Sequence, residues 1–580
     1  MHGRLKVKST AEQQEAKRKE REKKLQIYNA ATSKIFSKKK DGELDEELLH
    51  LCGEVLAANP DFYTLWNYRK EVFLELRKSK SPTELQNLFL AELFFLESCL
   101  RMNPKSYGTW HHRCFVMDTM PDPDWLRELE LCNQFLKYDE RNFHCWDYRR
   151  FIVKRANVSP EAELDFSMSK ISNNFSNYSS WHYRSKLLPL IHPDSGQPMG
   201  VSEDALLKEY ELVQNGFFTD PDDQSNWFYH RWLMGRGELK QAVNSVSVFQ
   251  PEGRISVSFL RHVQVGKSAS ISLECDGSPL KNIKWLNHEN KEGHSTLWIT
   301  FFLFIPFRLI GVILPIAESW TLDVQLVINN LSVCSAQIQV LAEEKNSRKR
   351  WVPSGLSSRF SQEMSSVKAE TLQQELEAIT QLMEVETDNK WAVLTAVLLM
   401  KALDPQKHEA EIMVNLDKLQ ALDFKRVEYY KDLRSRFIVE AAIDAMDRES
   451  SSLATTLSLP HRGLTKLYHS ELLTLLTSLN LSDNQLRDVR QFGFLQSLRE
   501  LDLSNNCLTT CHGLQNLPCL EKVVLSNNQL SSPESLATLQ TCPYLKQLHL
   551  VGNPVVEQEA GLEGIKEILP GVEIITQSSS

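Results

Sequence analysis

Lys105, Arg141 and His144 place two cations and an imidazole at corresponding points of neighbouring sequence repeats, and these are residue types that hold phosphate. The repeats are marked by Trp66, Trp110, Trp146, Trp181 and Trp227, spaced by 44, 36, 35 and 46 residues. Five residues before each Trp stand Asp61, Lys105, Arg141, Ser176 and Asp222; two before it stand Thr64, Gly108, His144, Ser179 and Ser225. Columns that serve packing should look alike, so cations in the second and third units and an imidazole in the third break the pattern. Equivalent positions of adjacent solenoid units are neighbours, which would gather these groups near helix N-termini, a setting suited to phosphate. The plainer alternative is that Lys105 and Arg141 are solvated first-turn charges.

The elements that position them follow from the rest of the repeat. Seven residues before each Trp stands Asn59, Asn103, Asp139, Asn174 or Asp220, and Pro60, Pro104 and Pro221 follow three of them. Asn or Asp as N-cap with Pro at the first helical position predicts a helix start there, with the Trp one to two turns in. Three residues after the Trp come Arg69, Arg113, Arg149, Arg184 and His230, so each guanidinium is expected against its own indole on one helix face. The spacing leaves room for a second helix per unit and predicts a stack of helical hairpins.

Other chemistries find no support. His111, His112, His182 and His230 sit inside the Trp motif and read as packing histidines, and no His-x-x-x-His or His-Glu-x-x-His spacing occurs. No P-loop, Ser-His-Asp arrangement or paired-carboxylate site is recognisable. The 11 Cys are scattered without a Cys-x-x-Cys pair, and no apolar signal stretch follows Met1, which together predict a reducing, cytoplasmic setting. Net charge is −9, although residues 1 to 40 hold 13 Lys and Arg against 4 Glu; a basic arm on an acidic body gives no nucleic-acid signature. The arm's mixed charges at helical spacing read as a solvated helix, with an acidic partner or nuclear import as the alternatives.

All 12 Trp of the 580 residues lie between Trp66 and Trp391, so one core chemistry does not describe the whole chain. From about residue 239, alternating segments such as Ile255 to Phe259, Ser270 to Glu274 and Ile338 to Val340 predict the strands of an inserted, immunoglobulin-like β-sandwich. Charged residues 343–350 read as a linker, and Asp388 to Trp391 as a degenerate sixth hairpin. The tail repeats Leu-x-x-Leu-x-Leu-x-x-Asn at Asn484, Asn506, Asn528 and Asn553, with a worn copy at Leu457, Leu459 and Leu464: leucine-rich repeats. The expected organisation is mainly α and multidomain: hairpin repeats in 1–238, the sandwich in 239–350, further helices in 351–445 and leucine-rich repeats in 446–580. Residues 297–317 form a 21-residue apolar run of membrane-span length, but Pro306, Arg308 and Pro315 interrupt it. Two buried strands, or a segment foreign to the normal product, are the preferred readings.

The segments Asn103-Pro-Lys-Ser-Tyr-Gly-Thr-Trp-His-His-Arg113, Asn142-Phe-His-Cys-Trp-Asp-Tyr-Arg-Arg150 and Trp227-Phe-Tyr-His-Arg-Trp232 resemble the repeats of protein prenyltransferase α subunits. The domain order is similar to that of the branch that modifies Rab GTPases. That resemblance implies a crescent of hairpins around a β subunit, which holds a zinc ion and most of the lipid pocket; the zinc activates the acceptor cysteine as thiolate. It implies transfer of geranylgeranyl from geranylgeranyl diphosphate to C-terminal cysteines of Rab GTPases, presented by a Rab escort protein that docks on the helical domain. It assigns Lys105, Tyr107 and His144 to the diphosphate, with Arg141 nearby, and notes Phe143 where some members carry Tyr. By analogy His2 becomes an autoinhibitory ligand of the partner's zinc. The competing reading is a non-enzymatic adaptor built of helical hairpins and leucine-rich repeats.

Overall fold

The computed structural model describes residues 11–194, 200–235, 243–249, 254–265, 269–275, 278–279, 283–287, 291–292, 295–301, 319–328, 331–341, 348–351, 369–448, 455–557 and 559–577. They form two units: residues 1–216 with 223–229, and residues 217–222 with 230–580.

The first unit is a stack of helices: α1 (Ala11–Lys40), α2 (Glu46–Ala58), α3 (Tyr63–Leu76), α4 (Pro82–Met102), α5 (Tyr107–Thr119), α6 (Trp125–Tyr138), α7 (Phe143–Arg155), α8 (Pro160–Asn173) and α9 (Tyr178–Ile191), with most of α10 (Glu203–Thr219) and α11 (Gln224–Leu233). Even-numbered helices start on strong local signals: Ser81 with Pro82 and Glu84 makes a capping box, and Ser159 caps ahead of Pro160. Every second helix from α3 to α11 carries one repeat Trp. The outer half of α1 is solvated, with Arg18 bridging Glu15 and Glu22 and Lys24 pairing with Glu20.

Asn59, Asn103, Asp139 and Asn174 do not start the Trp helices; they end the helices before them. The amide of Asn103 bonds back to the Cys99 carbonyl (2.8 Å), while its side chain accepts from the Lys105 amide (3.2 Å). The same short side chain that can cap a helix start also closes such a turn, and Pro then blocks any return to the helix just left. The Trp helices begin three or four residues later, so Lys105 and Arg141 lie in loops rather than first turns.

Nor do the repeat arginines lie against their own indoles. Each crosses to a buried glutamate on the next helix: Arg69 to Glu92, Arg113 to Glu128 (2.6 and 2.7 Å), Arg149 to Glu163 (2.8 and 2.6 Å) and Arg184 to Glu209 (2.7 and 2.6 Å). Each glutamate is met from the following Trp helix as well, by His112 (2.8 Å), Tyr148 (2.6 Å), Tyr183 (2.9 Å) or Tyr229 (2.6 Å). The indole instead bonds a loop carbonyl six residues back: Trp66 to Pro60 (2.8 Å), Trp110 to Pro104 (2.9 Å), Trp146 to Glu140 (2.8 Å) and Trp181 to Phe175 (2.8 Å).

In the second unit, His230 stands where other repeats have Arg and lies 2.6 Å from Glu375 on α12 (Ala369–Val385). Asn389, ahead of α13 (Lys390–Leu403), donates to the Pro221 carbonyl at 2.8 Å, so the degenerate sixth hairpin keeps the repeat register. Helices α14 (Glu409–Leu422) and α15 (Val427–Arg448) follow.

Between them, residues 243–351 contribute strands β1 (Val243–Phe249), β2 (Arg254–Val263), β3 (Ala269–Cys275), β4 (Ser278–Pro279), β5 (Leu286–Asn287), β6 (Ser295–Phe301), β7 (Ser319–Ile328), β8 (Leu331–Leu341) and β9 (Arg348–Trp351). They form two antiparallel sheets, β5-β6-β2-β1-β9 and β4-β3-β7-β8. Arg348 to Arg350, read as linker, belong instead to strand β9 at the edge of its sheet. Of the apolar run, Leu297 to Phe301 lie on β6, with Leu297, Trp298 and Ile299 buried, and the rest lies outside the described residues. Among the described residues no helix is long and apolar enough to cross a membrane. Arg254 is fully buried and donates to the Gln496 carbonyl and the Ser497 hydroxyl (both 2.9 Å) in the leucine-rich region.

That region pairs short strands in parallel: β10 (Thr456–Ser458), β11 (Ser478–Asn480), β12 (Glu500–Asp502), β13 (Lys522–Val524), β14 (Gln547–His549) and β15 (Glu573–Ile575), with helix α16 (Glu559–Ile568) near the end. The worn copy at Leu457 is a true first strand. Each repeat Asn is buried; Asn506 accepts from Leu486 N (3.0 Å) and donates to the carbonyls of Leu481, Leu503 and Ser504 (3.0 to 3.1 Å).

Candidate functional site

Asn142 assembles the site. As N-cap of α7 its Oδ1 accepts from the amides of His144 (3.1 Å) and Cys145 (3.3 Å). Its Nδ2 donates to the Pro104 carbonyl (2.9 Å), which also takes the Trp110 indole proton. One amide side chain thus ties the loop of the second repeat to the helix start of the third, beside Lys105 and Tyr107. The neighbouring Gly108 has a packing cause: a Cβ there would come within 2.6 Å of the Trp66 ring.

Three of the sequence candidates converge at this joint. Tyr107, 68% exposed, meets the His144 ring edge-on at 4.2 Å between centroids. His144 is only 6% exposed, and burial, with a smaller contribution from the Lys105 charge, lowers its pKa against the pull of Asp147. At neutral pH the imidazole is therefore uncharged and carries one N–H to donate. Lys105 is solvated and its Nζ lies 3.5 Å from Asp139 Oδ2. Phe143 packs on His144 with centroids 3.9 Å apart and presents no donor. An exposed ammonium and an exposed phenol beside a largely buried neutral imidazole can bind and stabilise a phosphorylated anion.

Arg141 is turned elsewhere: its Nη2 donates to the Ser176 carbonyl at 2.7 Å, near Asp223, whose carboxyl is lowered against burial by hydrogen bonds from Ser176 and Ser225 and least by the Arg141 charge. Of the four motif histidines, His112 and His230 are buried, as a packing role requires, and each also meets a glutamate that the sequence did not point to. His111 and His182 are exposed instead, the first 3.0 Å from Lys70 Nζ, the second stacked on Tyr178. His2 lies outside the described residues. Among those described, no group of three His, Cys, Asp or Glu is arranged to hold a metal ion. Sequence reasoning missed Asp139 as the partner of Lys105; its signal was an acid in a column otherwise mostly Asn.

Five segments, 45–76, 89–120, 125–156, 160–191 and 206–237, match the protein prenyltransferase alpha subunit repeat, and 474–530 match the leucine rich repeat. Geranylgeranyl transferase type-2 subunit alpha of Bos taurus is 46% identical over 584 aligned residues, spanning 99% of this chain and all of its own length. The chain belongs to the geranylgeranyl transferase type-2 subunit alpha family. The Homo sapiens member is likewise 46% identical, over 99% of both chains. A Dictyostelium discoideum member is 40% identical over 254 residues, which make up 80% of it but only 43% of this chain. Membership over the full length disfavours the adaptor reading. The five matched segments each end on a Trp helix, so the family's repeat is the hairpin whose loop carries Lys105 in one copy and Arg141 in the next.

Proposed function

We propose that this chain is the α subunit of a heterodimeric enzyme that moves geranylgeranyl from geranylgeranyl diphosphate to the C-terminal cysteines of Rab GTPases presented by an escort protein. Zinc and most of the lipid pocket are assigned to the β subunit. In the transfer a C–O bond to the lipid breaks, an S–C bond forms, and the diphosphate leaves with the electron pair. Charge accumulates on the departing diphosphate, and a cation already in place lowers that barrier. Lys105 is assigned that work, Tyr107 and the neutral His144 donate hydrogen bonds to the same oxygens, and Arg141 adds longer-range charge.

The observation that carries this reading is that Lys105 and Tyr107 of one repeat lie beside His144 of the next, Tyr107 in ring contact with it and Lys105 near enough to act on its charge. The two sheets of 243–351 are read as an immunoglobulin-like sandwich, with domain limits at 1–238, 239–350, 351–445 and 446–580, and the enzyme as cytoplasmic. Co-expressed with its β subunit, the Lys105→Ala variant should turn over about tenfold more slowly or worse, the usual scale for losing one transition-state donor. Unchanged turnover would overturn the assignment.

A further inference from the structure

We propose that Asp139 is the resident counter-ion of the diphosphate site: it holds Lys105 when no diphosphate is bound and competes with the diphosphate for that cation. The inference rests on the role just proposed for Lys105 and adds Asp139, which the repeat pattern reads only as a helix-end residue.

Asp139 ends α6 and is fixed from several directions. Its amide donates to the Phe135 carbonyl (3.0 Å), its own carbonyl accepts from Asn142 N (3.1 Å), and its Oδ1 accepts from Arg141 N (3.2 Å). These bonds shape the turn that delivers Asn142, and through it His144. Only Oδ2 remains for contact across the repeat, and it faces Lys105 Nζ at 3.5 Å. The same contact occurs one unit earlier with the polarity reversed: Asn103 Nδ2 donates to Asp61 Oδ2 at 3.3 Å. A helix-end amide over a loop acid is thus replaced, at the candidate site alone of these two, by a helix-end acid over a loop cation.

That exchange has a consequence for binding. An arriving diphosphate must take Lys105 from a carboxylate that the backbone holds in place, and the carboxylate recaptures it when the diphosphate leaves. Both partners are partly solvated, 67% and 36% exposed, so the pair is weak and easily displaced. Pairs of this kind are worth at most about fivefold in an equilibrium. Asp139 therefore tunes affinity and release without blocking entry.

The test uses the αβ heterodimer with geranylgeranyl diphosphate, inorganic pyrophosphate and, as a control without phosphate, geranylgeraniol. Asp139→Asn keeps the acceptor for Arg141 N and removes the charge. It should tighten binding of geranylgeranyl diphosphate and of pyrophosphate by about two- to fivefold and leave geranylgeraniol unchanged. In a Lys105→Gln background the same substitution should do nothing. Asp139→Ser, whose hydroxyl also closes the turn, should reproduce the tightening and guards against a folding defect. A purely structural Asp139 would weaken all three ligands or leave them unchanged, and either result overturns the proposal. Equal tightening in the Lys105→Gln background also overturns it, because the competition would not then be for Lys105. If Lys105→Gln by itself leaves both phosphate ligands unaffected, the underlying site assignment fails instead.

Discussion

The helical repeats and the leucine-rich repeats keep successive units in register with opposite chemistry. In the hairpins the rungs are buried charges, with Arg113, Glu128 and Tyr148 all nearly inaccessible and joined at 2.6 to 2.7 Å. In the tail the rungs are neutral, with Asn484, Asn506, Asn528 and Asn553 each bonded to backbone of its own turn and the one before. A charged rung is made by side chains from three helices, so the loop between helices is left to vary, and Lys105 and Arg141 occupy such loops. An Asn rung spends its column on the turn itself, and the turn positions cannot diverge without losing it. The candidate site sits in the architecture whose loops are free.

The sharpest way to break this contrast is to remove one member of a charged rung. Glu128→Ala strands the Arg113 guanidinium and should cost about 3–5 kcal/mol, read as loss of the first urea transition. Asn506→Ala leaves neutral backbone groups unpaired and should cost less, about 1–3 kcal/mol, confined to the tail. Acid should separate the two regions. Burial lowers the pKa of His112, so the fold keeps the ring neutral while the unfolded chain protonates near 6.5. Stability from this ring is therefore complete above that pH and falls as pH drops below it. Over the same window Glu92 stays ionised: burial opposes its charge, but Arg69 and His112 hold its carboxyl at about 2. Hydrogen-exchange protection of α4 and α5 should fall from pH 7 to 5 while β11 to β13 hold, and His112→Gln should flatten the difference. The smallest effect on stability, within about 0.5 kcal/mol, is expected of Phe143→Tyr at its half-exposed position. The new hydroxyl next to His144 should raise kcat/KM by about two- to tenfold, the scale of one added hydrogen bond.

The Trp and Asn columns were legible because a large indole and a turn-forming amide recur at near-fixed spacing. The glutamates of the charged rungs were not, since they follow their arginines by 23, 15, 14 and 25 residues and no periodic search aligns them. The helix starts were misread for a local reason: Asn103 and Pro104 suit the end of one helix as well as the start of another, and only the bond from the Asn103 amide to Cys99 decides which. Lys105 and His144 stood out as breaks in the repeat. What the breaks could not give was their common hinge, Asn142, because an N-cap looks the same in sequence whether or not its other end holds a neighbouring loop.

Arg254 carries a consequence for how this chain can be cut or can evolve. Its guanidinium is enclosed and donates to the Gln496 carbonyl and the Ser497 hydroxyl, more than 240 positions away. Deleting the leucine-rich tail alone would remove both of these acceptors and uncover the strand surface around Arg254, and deleting the strands alone would leave the Gln496 carbonyl and the Ser497 hydroxyl without that donor. The strands and the leucine-rich tail are therefore expected to be lost or kept together: a shortened form of this protein should stay soluble more readily when it lacks both than when it lacks either one.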